Sequence, residues 1–187
     1  MKSQKISTKK IVLTALMAAL TVVGSTLRIT LPVSVMGTTA FHLGNIFCAL
    51  SGILLGPGLG GLAAGLGSAI YDMFNPLYIA ESWLTFLMKG AYGLVTGLIV
   101  WNGKKTFSYF KSTIATTVGA ITYAVLYLAK NYLKGVWVKG LVPTASAIAL
   151  LDKVPATAFN AIVAIIFAPL LAKAILAALE RNRINLN

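Results

Sequence analysis

Residues 54–72 read LLGPGLGGLAAGLGSAIYD, and two readings compete for them. Gly56-Pro57-Gly58-Leu59-Gly60-Gly61 has the form G-x-G-x-x-G, the outline of a dinucleotide-binding turn. That motif needs a buried strand before it, a helix after it and an acid about twenty residues on. Residues 41–55 imitate the strand and Asp72 the acid, but no alternation of strands and helices follows. The second reading uses more of the residues. Gly56-Pro57-Gly58 makes a tight uncharged turn, because proline fixes φ and glycine permits positive φ. Beyond it, Gly61, Gly65 and Ala69 recur every fourth position, as do Gly60, Ala64 and Ser68. Such stripes of small residues let helix backbones approach closely in lipid. The spacing predicts a packing helix, central in a bundle, and not a phosphate cradle.

Composition supports lipid as the solvent. Of 187 residues, 58% are hydrophobic and 11% charged, against roughly 25% charged in soluble domains; the mean hydropathy is +0.85. A spanning helix needs roughly 20 apolar residues. Six candidates appear, at about 11–29, 41–55, 59–74, 81–101, 112–133 and 156–179, with the second and third short. The expected fold is a single all-α membrane domain over residues 1–187, six transmembrane helices in one bundle. MKSQKISTKK at the start resembles the basic region of a secretory signal, but the apolar run after it is too long, so a retained helix is expected.

Lys2, Lys5, Lys9 and Lys10, then Lys104, Lys105 and Lys111, then Lys173, Arg181 and Arg183 fall on one side of a six-span chain. By the positive-inside rule both termini are cytoplasmic. Lys134, Lys139 and Lys153 in the fifth loop break the rule, and are either noise or ligand-related. The formal net charge of +12 is therefore read as membrane topology, with no nucleic-acid partner. Three of the acids, Asp72, Glu81 and Asp152, map to the outer side, and Glu180 to the inner.

Ionisable groups within a span are costly and usually functional. Lys89 sits near the middle of the fourth span. Glu81, Thr85 and Lys89 share one helical face at i, i+4, i+8, with Tyr92 close to it. This face either pairs Lys89 with Asp72 or Glu81, or forms the polar wall of a ligand cavity. Tyr123, Tyr127 and Asn131 repeat the spacing on the fifth helix, where phenol rings and an amide suit a flat heteroaromatic ligand. Asn160 is a buried amide, for a ligand or for an interhelical hydrogen bond. His42 and Asn45 open the second helix; with one histidine and one cysteine, Cys48, in the chain, no metal site is expected. No P-loop, H-E-x-x-H or G-x-S-x-G is present, so no ATPase or hydrolase activity is expected of this chain.

FHLGNIFCALSGILLGPGLGGLAAGLGSAIYD (41–72) and WLTFLMKGAYGLVTGLIV (83–100) resemble the S components, the substrate-binding membrane subunits of energy-coupling factor (ECF) vitamin transporters. The similarity covers about 11–101 and is strongest at 41–98. It implies six helices with both termini inside, in a bacterial plasma membrane. It implies an outer vitamin pocket built from the later helices and capped by loops, among them residues 31–40 and Val136–Asp152. It also implies that Ala15 and Ala19 match the family's A-x-x-x-A contact with the transmembrane coupling (T) subunit. Two separate ATPase subunits would then use ATP and Mg, and this chain would need no cofactor. The tyrosine and asparagine face favours a pyridoxine- or hydroxymethylpyrimidine-like ligand, with pantothenate next. The site expected on this basis is Glu81, Thr85, Lys89, Tyr92, Tyr127, Asn131, Asn160, Asp152 and His42. The alternatives are a self-sufficient small transporter or channel and, more remotely, a membrane enzyme acting on lipid.

Overall fold

A computed structural model describes residues 7–31, 39–102 and 107–182. Lys2, Lys5, Lys104, Lys105, Arg183 and most of the expected capping segment 31–40 lie outside them. The chain runs α1 (Thr8–Thr26), β1 (Arg28–Leu31), β2 (Thr39–His42), α2 (Gly44–Met73), a 3-10 turn (Ile79–Glu81) and α3 (Ser82–Trp101). It continues through α4 (Tyr109–Leu133), a π-helical stretch (Lys134–Val138), α5 (Pro143–Ala149), a second 3-10 turn (Leu150–Asp152) and α6 (Val154–Arg181). Among the described residues, five helical stretches are long and apolar enough to cross a membrane. This is an all-α membrane bundle with a small β-hairpin added.

The second stretch, α2, reverses on itself. Gly56 has φ 79° and ψ −175°, a backbone state that glycine adopts freely and other residues avoid. In an unbroken helix, residues twenty apart would lie about 30 Å from each other. Here Cys48 Sγ and Ser68 Oγ are 3.6 Å apart, so the arms 44–55 and 57–73 lie side by side. Pro57 lacks the N–H that would bond the Ile53 carbonyl, and Trp101 Nε1 donates to that carbonyl instead, at 3.0 Å. The GPG segment is thus a helical hairpin whose open carbonyl is closed by α3.

The small residues do the packing. A Cβ on Gly61 would lie 2.9 Å from the Gly90 carbonyl oxygen, and one on Gly65 2.8 Å from that of Phe86. Gly60 faces the other arm, and Gly67 faces Ala18 and Thr21 of α1. The hairpin is consequently central: 67% of its apolar stretch is buried, against 22% of that of α6. Buried threonines do not interrupt the apolar interior. Thr21, Thr96 and Thr116 each donate to the carbonyl four residues back, so no hydroxyl among them faces hydrocarbon unpaired.

Three expectations change. The first helix ends at Thr26, not residue 29, and the helix expected from residue 41 starts at Gly44. Between them β1 and β2 pair antiparallel, Arg28 opposite His42 and Leu31 opposite Thr39. Strand geometry alternates the faces, so Ile29 is exposed while Arg28 turns inward. The fifth loop also holds α5, started by Pro143 at its first turn, where proline's missing N–H costs nothing.

Candidate functional site

The paired strands β1 and β2, the segment after α2 and the segment joining α4 to α6 gather at one end of the bundle. Gly56 and Trp101 mark the other end. At the first end the helices part around a cavity of about 310 Å³, at the lower edge of the range for small-molecule sites.

The strand end supplies Arg28 and His42. The Arg28 guanidinium donates to Tyr71 Oη at 2.6 Å and Tyr78 Oη at 2.9 Å, and its carbon lies 5.0 Å from the centre of the Tyr78 ring. Its third donor, Nε, is buried and has no hydrogen-bond partner. Burial opposes the guanidinium charge, yet the two tyrosines more than offset it and hold its pKa above the ordinary arginine value. His42 Nδ1 accepts from the Gly44 N–H at 3.1 Å. Burial, and then the nearby charges of Lys89 and Arg28, push its pKa well below the usual histidine value. The ring is neutral, in a region of positive potential.

Asn160 on α6 is committed to β2. Its Oδ1 accepts from the His42 N–H and its Nδ2 donates to the Ala40 carbonyl, both at 2.9 Å. An amide side chain presents a donor and an acceptor in the pattern of a peptide group, so Asn160 continues the strand's pairing and ties it to α6. The amide lines the cavity, but neither of its polar atoms is idle. Asn131 donates to the Tyr127 carbonyl of its own helix at 2.8 Å.

Lys89 is 5% exposed. It donates to Asn45 Oδ1, and its ammonium sits 3.8 Å from the centre of the Tyr123 ring. Both partners are neutral. A lysine at mid-span costs about 3 kcal/mol on insertion scales, and the ring face and amide return part of that. The pairing of Lys89 with Glu81, one of the two alternatives read from the spacing, does not form; Glu81 lies in the 3-10 turn before α3. Glu81 pairs with Lys130 and Lys134 of the facing segment, because it stands at the helix entrance, where α4 approaches. Asp72 lines the cavity beside Thr85 and draws on Lys89 and Arg28 at longer range, without an ion pair to either.

The aromatic wall is a ladder. Tyr92 and Tyr123 stack at 6.1 Å between centroids, and Tyr123 and Tyr127 at 5.8 Å. Tyr123 and Tyr127 face the cavity. Tyr92 is buried behind them and is not part of the lining.

Of the residues anticipated for the site, His42, Glu81, Thr85, Lys89, Tyr127, Asn131 and Asn160 meet at this cavity. Asp152 lies exposed outside it. In the fifth loop, Lys134 and Lys153 line it, and burial together with the charges of Lys130 and Lys139 pushes the Lys153 pKa down to about 8. Arg28, Tyr71, Tyr78 and Lys130 were not anticipated. Lys130 had a readable signal, since it is one turn from Tyr127; Arg28 was read as the tail of a helix. Midway along α1, Ala15 and Ala19 are exposed with Ile11, Val12 and Leu16, whereas Ala18 is buried inward.

A family model described as "ECF-type riboflavin transporter, S component" matches residues 5–177. A protein of Pyrococcus woesei described as "Uncharacterized protein in gap 3'region" is 33% identical over 114 residues, which are 61% of this chain and 72% of that protein.

Proposed function

This chain belongs to the ECF-type riboflavin transporter S component family, and on that premise we propose that it captures one flat, water-soluble vitamin at the outer membrane face. As an S component it is a substrate-binding subunit of an importer in a membrane. The finer reading is that the cavity end faces outward, both termini face the cytoplasm, and the membrane is the plasma membrane. A T subunit would dock on α1 at Ala15 and Ala19, two ATPase subunits would supply the energy, and residues 1–187 would act as one domain. With the hairpin arms counted separately, the chain crosses the membrane six times.

The observation that carries this reading is the cavity of about 310 Å³, bordered on one side by the stacked rings of Tyr123 and Tyr127. Aromatic rings prefer offset stacking with other flat rings. Hydrogen-bonding groups at the rim suit a ligand with polar edges. The family's name points to riboflavin, and a fused-ring system of that kind fills such a volume better than the single pyridine or pyrimidine ring expected from sequence.

Titration of the purified chain in detergent with riboflavin, pyridoxine, hydroxymethylpyrimidine and pantothenate tests it. Saturable binding of one of them, lost in Tyr123→Leu, is the expected result. No saturable binding by folded protein overturns the reading. Flux through liposomes that hold this chain and no ATPase would make it a self-sufficient transporter instead.

A further inference from the structure

The cavity lining carries more positive than negative charge. Arg28, Lys89, Lys130, Lys134 and Lys153 stand against Asp72 and Glu81. Glu81 is engaged by Lys130 and Lys134. Arg28 and Lys89 have only neutral hydrogen-bond partners, namely two tyrosine hydroxyls and one amide oxygen. Arg28 also holds a buried Nε–H with no acceptor.

Two sheltered cations with neutral partners are an unusual way to leave a membrane protein interior, since buried charges are normally paired. Topology does not explain them: Arg28 and Lys89 reach the cavity from different elements, a strand and a mid-span helix. A guanidinium and an ammonium are the groups that recognise carboxylates and phosphates.

We propose that the transported solute carries an oxyanion, a carboxylate or a phosphate, which lodges against Arg28 and Lys89 while its ring lies along Tyr123 and Tyr127. This rests on the proposed function and narrows its substrate class. The oxyanion gives the Arg28 guanidinium and the Lys89 ammonium an anion in direct contact, which Asp72, acting on both only at longer range, does not supply. The tyrosine hydroxyls hold the guanidinium in place without neutralising it.

Matched pairs test this on the unaltered chain: riboflavin against riboflavin 5′-phosphate, pyridoxine against pyridoxine 5′-phosphate, and panthenol against pantothenate. The expected result is at least tenfold tighter binding of the charged member in one pair. The first two pairs report phosphate and the third carboxylate. Added salt weakens the charged member, and Lys89→Gln and Arg28→Gln remove the preference. Neutral members that bind as tightly as charged ones overturn the inference and leave the proposed function standing. If no member of any pair binds, the proposed function fails and the inference falls with it. A preference that disappears in phosphatidylglycerol nanodiscs but persists in phosphatidylcholine assigns the site to a lipid headgroup and overturns the solute assignment.

Discussion

Replacing Gly60 with alanine, with Gly58→Ala beside it as a control, tests the reversal of α2 directly. A Cβ at position 60 would stand 2.5 Å from the Ser51 carbonyl oxygen and 2.6 Å from the Gly52 Cα. Both are backbone atoms of the opposite arm and cannot rotate away, so the arms must separate by most of an ångström. Overpacking of this kind costs about 1–3 kcal/mol. At position 58 an added Cβ meets nothing within 4 Å. Both substitutions gain helix propensity, up to about 1 kcal/mol. Gly60→Ala should therefore lose about 1–2 kcal/mol and Gly58→Ala none. The propensity gain is common to both variants, so at about 2–4 °C per kcal/mol for a chain of this size the overpacking cost separates their midpoints by roughly 2–12 °C. Thermal unfolding in detergent, followed by circular dichroism, reads the difference. Equal midpoints for the two variants would refute the side-by-side arrangement of the arms.

Two other outcomes are expected. Ala15→Trp together with Ala19→Trp should abolish co-purification with the coupling subunit and leave the ligand dissociation constant within twofold, because both positions are exposed and neither lines the cavity; a matching loss of ligand binding would show that α1 acts through the fold. Raising the pH from 7 to 9 should weaken an oxyanion ligand by on the order of tenfold, as Lys153, with its pKa near 8, loses its charge beside the cavity. Lys153→Arg should hold affinity level across that range, and isothermal titration at each pH measures both.

Hydropathy made the long helices legible, and the Gly56-Pro57-Gly58 turn was legible because glycine and proline state backbone geometry in the sequence itself. The β-hairpin was not. Four-residue strands at the ends of apolar runs continue the helix's hydrophobic signal, and the Gly24-Ser25 pair ahead of Arg28–Leu31 is packed inside α1 and makes no turn there. Helical spacing matched the cavity lining for Thr85 and Lys89 and for Tyr127 and Asn131, but not for Tyr92, which stands behind the wall. Partner choice did not follow, because it is set by how helices approach one another. Spacing put Glu81 in line with Lys89, but the approach of α4 gives it Lys130 and Lys134. Asn160 was readable as a buried amide, yet its partners are 118 and 120 residues away, beyond the reach of any local pattern. Arg28 meets tyrosines 43 and 50 positions away for the same reason.

The single cysteine of this chain lies wholly inside the hairpin, with its sulfur against Ser68 of the opposite arm. A maleimide cannot reach that thiol while the arms are closed, so the folded subunit is silent to alkylation without any engineering. Labels attached to cysteines introduced at the periphery need no cysteine-free background. Any modification of Cys48 itself becomes a clock, counting how often the two arms come apart.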